Sequence, residues 1–132
     1  FQQAGVVAHA EIEPNLPLVE GNPGQIQQVF LNLILNAVQA MPNGGRLNLK
    51  VAREHGATGE VIGIRIQDTG TGIPKEIQNK IFESFFTSRE DGTGLGLAIV
   101  KRILRDHRGD IVFESTGATG TTFKLWVPVK IR

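Results

Sequence analysis

The chain contains no cysteine, which excludes structural disulfides and thiolate metal sites and fits a reducing compartment. Net charge is nearly absent as well: 14 Lys and Arg stand against 13 Asp and Glu, for a formal balance of +1 with no long basic run. Charge therefore gives no support to binding of nucleic acid or a membrane surface, and any charged ligand has to be held by a local site. Long hydrophobic runs are missing too. The longest, Val29 to Ala40, is interrupted by Asn32, Asn36 and Gln39 and is far too short to span a bilayer. The opening residues Phe1-Gln2-Gln3-Ala4 resemble neither a signal peptide nor a natural protein start, so the chain reads as an excised domain.

What is present suits one compact domain over residues 1–132, with 40% hydrophobic residues to fill a core and only 20% charged. Sixteen glycines are spread unevenly. Val6 to Glu13 reads as a strand, and Asn22-Pro23 starts a helix, with a capping side chain followed by proline in the first turn. From there Ile26, Val29, Phe30, Leu33, Ile34 and Val38 recur at helical spacing until Pro42-Asn43-Gly44-Gly45. Two alternating runs, Arg46 to Arg53 and Val61 to Gln67, read as strands. Pro74 to Lys80 is expected to be a short helix and Leu95 to His107 a long one ended by Gly109, with a terminal strand pair at Asp110 to Ser115 and Thr121 to Val129. About five strands and three helices that do not alternate strictly imply an α+β, two-layer sandwich, with the helices on one face of a mixed sheet.

Three clusters carry candidate chemistry. Asn32 and Asn36 lie four residues apart, hence on one helix face, where they interrupt an apolar stripe. Buried without partners they would cost roughly 1–3 kcal/mol each. They either satisfy one another or a nearby loop, or they serve a ligand, and spacing alone does not separate these readings; an amide oxygen suits Mg²⁺ held mainly by phosphates and water. The second cluster, Asp68-Thr69-Gly70-Thr71-Gly72-Ile73, follows a strand directly. It is compatible with a plain Asx turn and equally with a carboxylate accepting a hydrogen bond from a ligand amine. The third, Asp91-Gly92-Thr93-Gly94-Leu95-Gly96-Leu97, opens a helix, where free N–H groups and the positive dipole end suit a phosphate. It lacks the Gly-Lys-Ser/Thr of a Walker A loop and the G-x-G-x-x-G spacing of a dinucleotide fingerprint.

In this order the three clusters resemble the boxes of the GHKL ATPase/kinase superfamily (Bergerat fold), and within it the catalytic domain of sensor histidine kinases. Gln28 to Ala37 resembles the N box, Asp68 to Ile73 the first glycine box, Ile81 to Thr87 the F box, and Gly92 to Leu97 the second glycine box. Gly120-Thr121-Thr122-Phe123 followed by Trp126-Val127-Pro128 resembles the closing strand, so the likeness covers nearly the whole chain. Asn36-Ala37-Val38-Gln39-Ala40-Met41 with a short lid is similar to the nitrogen-regulator class, although Gln39 and Ala40 stand where many histidine kinases place a basic residue or tyrosine.

The resemblance implies that Asn36 is the Mg²⁺ ligand, with Asn32 supporting it or a phosphate, and that Asp68 accepts the adenine 6-amino proton. It implies a base pocket of Gly70, Gly72 and Ile73 with Thr121 and Thr122 beside it. It also implies a phosphate cradle of Gly92, Thr93, Gly94, Leu95, Gly96 and Leu97, and a lid over 87–91 in which Thr87 and Arg89 are the candidate contacts. Arg89 reads equally as a solvated loop charge. Phe82, Phe85 and Phe86 are expected to anchor the lid or to be ordinary core. Gyrase-, heat-shock-chaperone- and MutL-type members carry a glutamate where this chain has Asn32, and an amide cannot act as a general base. The expected activity is therefore a Mg·ATP-dependent histidine kinase rather than an efficient ATPase, with ATP and Mg²⁺ as cofactors. The expected partners are a histidine-bearing dimerisation domain and, indirectly, a response regulator, in a cytoplasmic setting without nucleic-acid or membrane contact. A degenerate docking module and a self-contained ATPase are the competing readings. His9, His55 and His107 lack the acidic helical context of a phosphoacceptor and are assigned no chemistry.

Overall fold

The computed structural model describes residues 5–17, 19, 21–57, 59–83, 96–115 and 120–129. Along the chain these form strand β1 (Val6–Ile12), helix α1 (Pro23–Gln39), strands β2 (Gly45–Gly56) and β3 (Gly59–Asp68), a 3₁₀ helix (Lys75–Lys80), helix α2 (Gly96–Asp106), and strands β4 (Asp110–Ser115) and β5 (Thr121–Pro128). The strands make one mixed sheet in the order β1-β2-β3-β5-β4; β1 and β2 are parallel and every other pair is antiparallel.

Helix α1 begins as its sequence dictates. The Asn22 side chain accepts from the Gln25 N–H at 3.1 Å, and Pro23 occupies the first turn. Its buried stripe is Val29, Leu33 and Ala37; α2 contributes Val100, Ile103 and Leu104. Both helices cover the sheet face on which Ile62, Ile64 and Ile66 of β3 alternate in register with Val127, Leu125 and Phe123 of β5. Full burial of a side chain such as Leu33 or Phe123, both in this core, contributes about 1.5–3 kcal/mol each.

The short helix expected after Pro74 is present as a 3₁₀ helix, since six residues support only a short, tight piece. Two other expectations change in detail. The end of α2 is not turned by Gly109. Arg108 takes the left-handed conformation at φ 65°, and the Gly109 N–H reaches back to the Leu104 carbonyl at 2.7 Å, which closes a Schellman motif. Gly109 is needed for space instead, because a Cβ there would lie 1.8 Å from the Trp126 carbonyl oxygen. The hairpin strands β2 and β3 also run further than their alternation indicates, to Gly56 and from Gly59.

Candidate nucleotide site

Strand register builds the site floor. One cross-strand row joins Leu47 of β2, Asp68 of β3, Thr121 of β5 and Ser115 of β4. The next row inward, Leu49, Ile66, Phe123 and Phe113, is wholly apolar, so the core face turns polar abruptly at this end of the sheet. Asp68 and Thr121 are only 3% and 5% exposed, and groups that deep must be hydrogen-bonded. Asp68 Oδ1 accepts from the Gly70 N–H at 2.9 Å and the Thr121 N–H at 3.3 Å. Two backbone donors from different segments therefore fix the carboxylate. Ser115 Oγ accepts from the Ile73 N–H at 2.7 Å and donates to the Gly120 carbonyl at 3.3 Å; the Thr121 hydroxyl lies 3.5 Å from the same oxygen.

The glycine turn rests directly on the end of α1. The Thr71 N–H donates to the Ala40 carbonyl at 3.0 Å, and a Cβ on Gly70 would sit 2.2 Å from that same oxygen. Only glycine permits this approach. Gly72 takes φ 73°, and the Gln78 side-chain amide holds the Ile73 carbonyl at 2.9 Å. Ile73 packs half-buried against the core.

Two turns before Ala40, the Asn32 amide donates to the Gly96 carbonyl, the first described residue of α2, at 3.3 Å. Asn36 lies between, half-buried and also partnered. Helix α1 thus meets the acidic glycine turn at its C-terminal end and the start of α2 near its middle. Asn32 therefore has a partner on α2, beyond anything it shares with Asn36. At the opposite end of α2, His107 Nε2 accepts from the Asn22 N–H at 3.0 Å while Nδ1 lies 2.8 Å from the Ile103 carbonyl. That arrangement requires Nδ1–H and a lone pair on Nε2. His107 therefore clamps α2 to the start of α1. Sequence reading gave it no role, and it shows no motif that would have revealed one.

The structure joins Asp68, Gly70, Ile73 and Thr121 at the end of the sheet that meets the C-terminus of α1, with Gly72 in the same turn. Asn32 meets Gly96 farther back along α1, with Asn36 between the two groups on α1 and Leu97 following Gly96 in α2. Thr122 is not among them: it pairs with Gln67 and Glu114 and alternates onto the other sheet face. Thr87, Arg89, Gly92, Thr93, Gly94 and Leu95, together with Phe85 and Phe86, lie outside the described residues. Phe82 packs against Phe113 and Phe123 with ring centroids 6.0 and 6.4 Å apart, and Lys101 Nζ stands 4.9 Å above its ring. It is part of the core edge. Among the described residues no group of three His, Cys, Asp or Glu side chains is arranged to hold a metal, and no helix is long and apolar enough to cross a membrane.

Residues 21–131 match the family model described as histidine kinase-, DNA gyrase B-, and HSP90-like ATPase. The chain is 40% identical over 128 residues to the sensory histidine kinase/phosphatase NtrB of Azospirillum brasilense, covering 89% of this chain and 32% of NtrB. It is 36% identical over 126 residues to sporulation kinase A of Bacillus subtilis (strain 168), covering 96% of this chain and 20% of that kinase. The chain therefore spans a third or less of these relatives. The nucleotide-free catalytic domain of histidine kinase ThkA superposes with a TM-score of 0.81 at 30% identity, covering 96% of this chain and 82% of that one. On sequence and on fold together, the chain belongs to the histidine kinase-, DNA gyrase B- and HSP90-like ATPase family, as a catalytic ATP-binding domain of the histidine-kinase kind.

Proposed function

We propose that the domain binds Mg·ATP along α1 and donates the γ-phosphoryl group to a histidine on a separate dimerisation domain, from which a response regulator would be served. The observation that carries this reading is the layout of α1. The Ala40 carbonyl receives the Asp68–Ile73 turn, and Asn32, eight residues earlier, holds the start of α2, about 12 Å away along the axis. The base belongs at the turn, where the Asp68 carboxylate accepts from the adenine amine; guanine would present an oxygen there and be penalised. The triphosphate belongs toward Asn32 and the N-terminal end of α2.

Mg²⁺ fits the donors available. A single amide oxygen, that of Asn36, joined by phosphate oxygens and water is an ordinary set for this hard cation, which rarely occupies an all-protein cage. When bound, the ion supplies neutralisation of phosphate charge. The chain's own residues orient the nucleotide: Asp68 fixes the base, the turn backbone shapes its pocket, and Asn32 sets α2 against α1. An amide at Asn32 leaves no side-chain base to activate water, which favours phosphoryl transfer over hydrolysis. Cytoplasmic placement follows from use of ATP and is part of the same proposal.

The test is transfer of labelled phosphate from ATP to an isolated histidine-bearing helical domain of a histidine kinase. Acid-labile, alkali-stable label on that domain supports the reading. Steady ADP release by the chain alone, abolished by Asn32→Ala, would instead establish a self-contained ATPase.

A further inference from the structure

The polar row at the end of the sheet contains one residue that no motif marks, Ser115. We infer that Ser115 is a positioning residue that sets the site's preference for adenine over guanine. This rests on the reading of Asp68 as the group that accepts from the base amine.

Ser115 ends β4 and stands beside Thr121, which in turn stands beside Asp68. Its oxygen accepts from the Ile73 N–H at 2.7 Å and so ties the far end of the glycine turn to the sheet. The near end of the turn is tied by the Gly70 N–H to Asp68 Oδ1 at 2.9 Å. Between these two anchors the turn has little freedom to slide relative to the carboxylate. Gly120, at φ 108°, completes the corner, since a Cβ there would lie 2.2 Å from the Asp68 carbonyl oxygen.

The tie matters most for a base that must bring an exocyclic amine squarely onto the Asp68 carboxylate, which the Gly70 and Thr121 N–H groups hold in place. The carbonyl that guanine carries at that position is already opposed by the carboxylate, so slack in the turn costs guanine less than it costs adenine.

The experiment is calorimetric titration of the protein and its Ser115→Ala, Ser115→Cys and Ser115→Thr variants with non-hydrolysable ATP and GTP analogues. Ser115→Ala is expected to weaken the ATP analogue roughly 3- to 10-fold, the worth of one net hydrogen bond, while the GTP analogue loses less. The ATP-to-GTP ratio therefore falls. Ser115→Thr, which keeps the hydroxyl, is expected to restore the ratio. Ser115→Cys, nearly isosteric with a weak acceptor, gives the same reading as Ser115→Ala if the alanine variant does not fold. Loss of affinity for both analogues by the same factor would mean general loosening and overturn the inference, as would an unchanged ratio. Wild-type protein that prefers ATP alongside a Ser115→Ala ratio equal to wild type sinks the role of Ser115 alone. Wild-type protein that shows no adenine preference sinks the Asp68 reading and this one with it.

Discussion

Asp68 is buried to 3% exposure, and two backbone N–H groups converge on its Oδ1. A carboxylate held this way is pre-aimed, so that ligand binding need not order it first. Asp68→Asn keeps size and shape but replaces one acceptor oxygen with an amide donor. It is expected to weaken binding of an ATP analogue by about 1.5–3 kcal/mol, the range for a hydrogen bond to a charged group; an unchanged dissociation constant would remove Asp68 from the base. Gly70 makes a purely steric demand, since an added Cβ meets the Ala40 carbonyl oxygen at 2.2 Å. That neighbour is backbone at the end of a helix and has no rotamer to yield. Gly70→Ala should therefore lower stability by about 1–3 kcal/mol in urea unfolding, as overpacking does, and weaken nucleotide binding in addition. A variant as stable as wild type would show that the turn can move off α1.

At the scale of elements, the helices are held at both of their crossings. Asn32 reaches the start of α2, and His107 at its end holds the Asn22 N–H. His107→Ala removes the second clamp and is expected to cost about 0.5–1.5 kcal/mol of stability, measured by urea unfolding. If the two clamps act together, nucleotide affinity falls as well; an unchanged stability would show that water replaces the imidazole without loss. Asp110 fastens the other end of the α2–β4 corner, 3.0 Å from Lys101 and 3.6 Å from Arg105. Burial pushes its carboxyl up, but the Ile111 N–H, Lys101 and Arg105 together outweigh that and hold it below its ordinary 3.8. A carboxyl depressed in the folded state contributes stability that is present above the unfolded value and lost as pH falls through the folded one. The stability lost in Asp110→Asn should therefore be constant near neutrality and shrink below about pH 4. A difference that widens toward acid would reverse this assignment.

Much of this was legible in the chain itself, and the exceptions have physical causes. Asn22-Pro23 announces α1 because capping is local chemistry, and Asp68 to Ile73 announces itself because strand end, carboxylate and glycines are contiguous. Ser115 is silent because its partners, Ile73, Gly120 and Thr121, meet only through strand register, which no local pattern encodes. Thr122 was drawn into the site by its neighbour, although period-two alternation sends it to the other face. Gly109 was assigned a helix-ending conformation that Arg108 adopts instead, since a Schellman motif fixes which position is left-handed but not which residue fills it.

On the whole-molecule scale, the fold is a frame that holds the two regions proposed to meet the nucleotide at the C-terminal end and the middle of α1. The sheet fixes one through the Asp68–Thr121–Ser115 row, and α2 fixes the other through Gly96. The apolar rows behind both form the packed core of this frame: Ile66, Phe123 and Leu33 are among its most deeply buried side chains. The central claim is that this frame reads an adenine base and a Mg²⁺-bound phosphate chain at the same time. The most direct measurement is calorimetric titration with a non-hydrolysable ATP analogue, with and without Mg²⁺, on wild-type protein and on Asn36→Ala, with a GTP analogue as control. Binding that favours adenine, strengthens with Mg²⁺, and loses that strengthening in Asn36→Ala is the predicted result. Binding indifferent to base and metal, or a variant that loses metal-free and Mg²⁺-dependent affinity equally, would contradict the account.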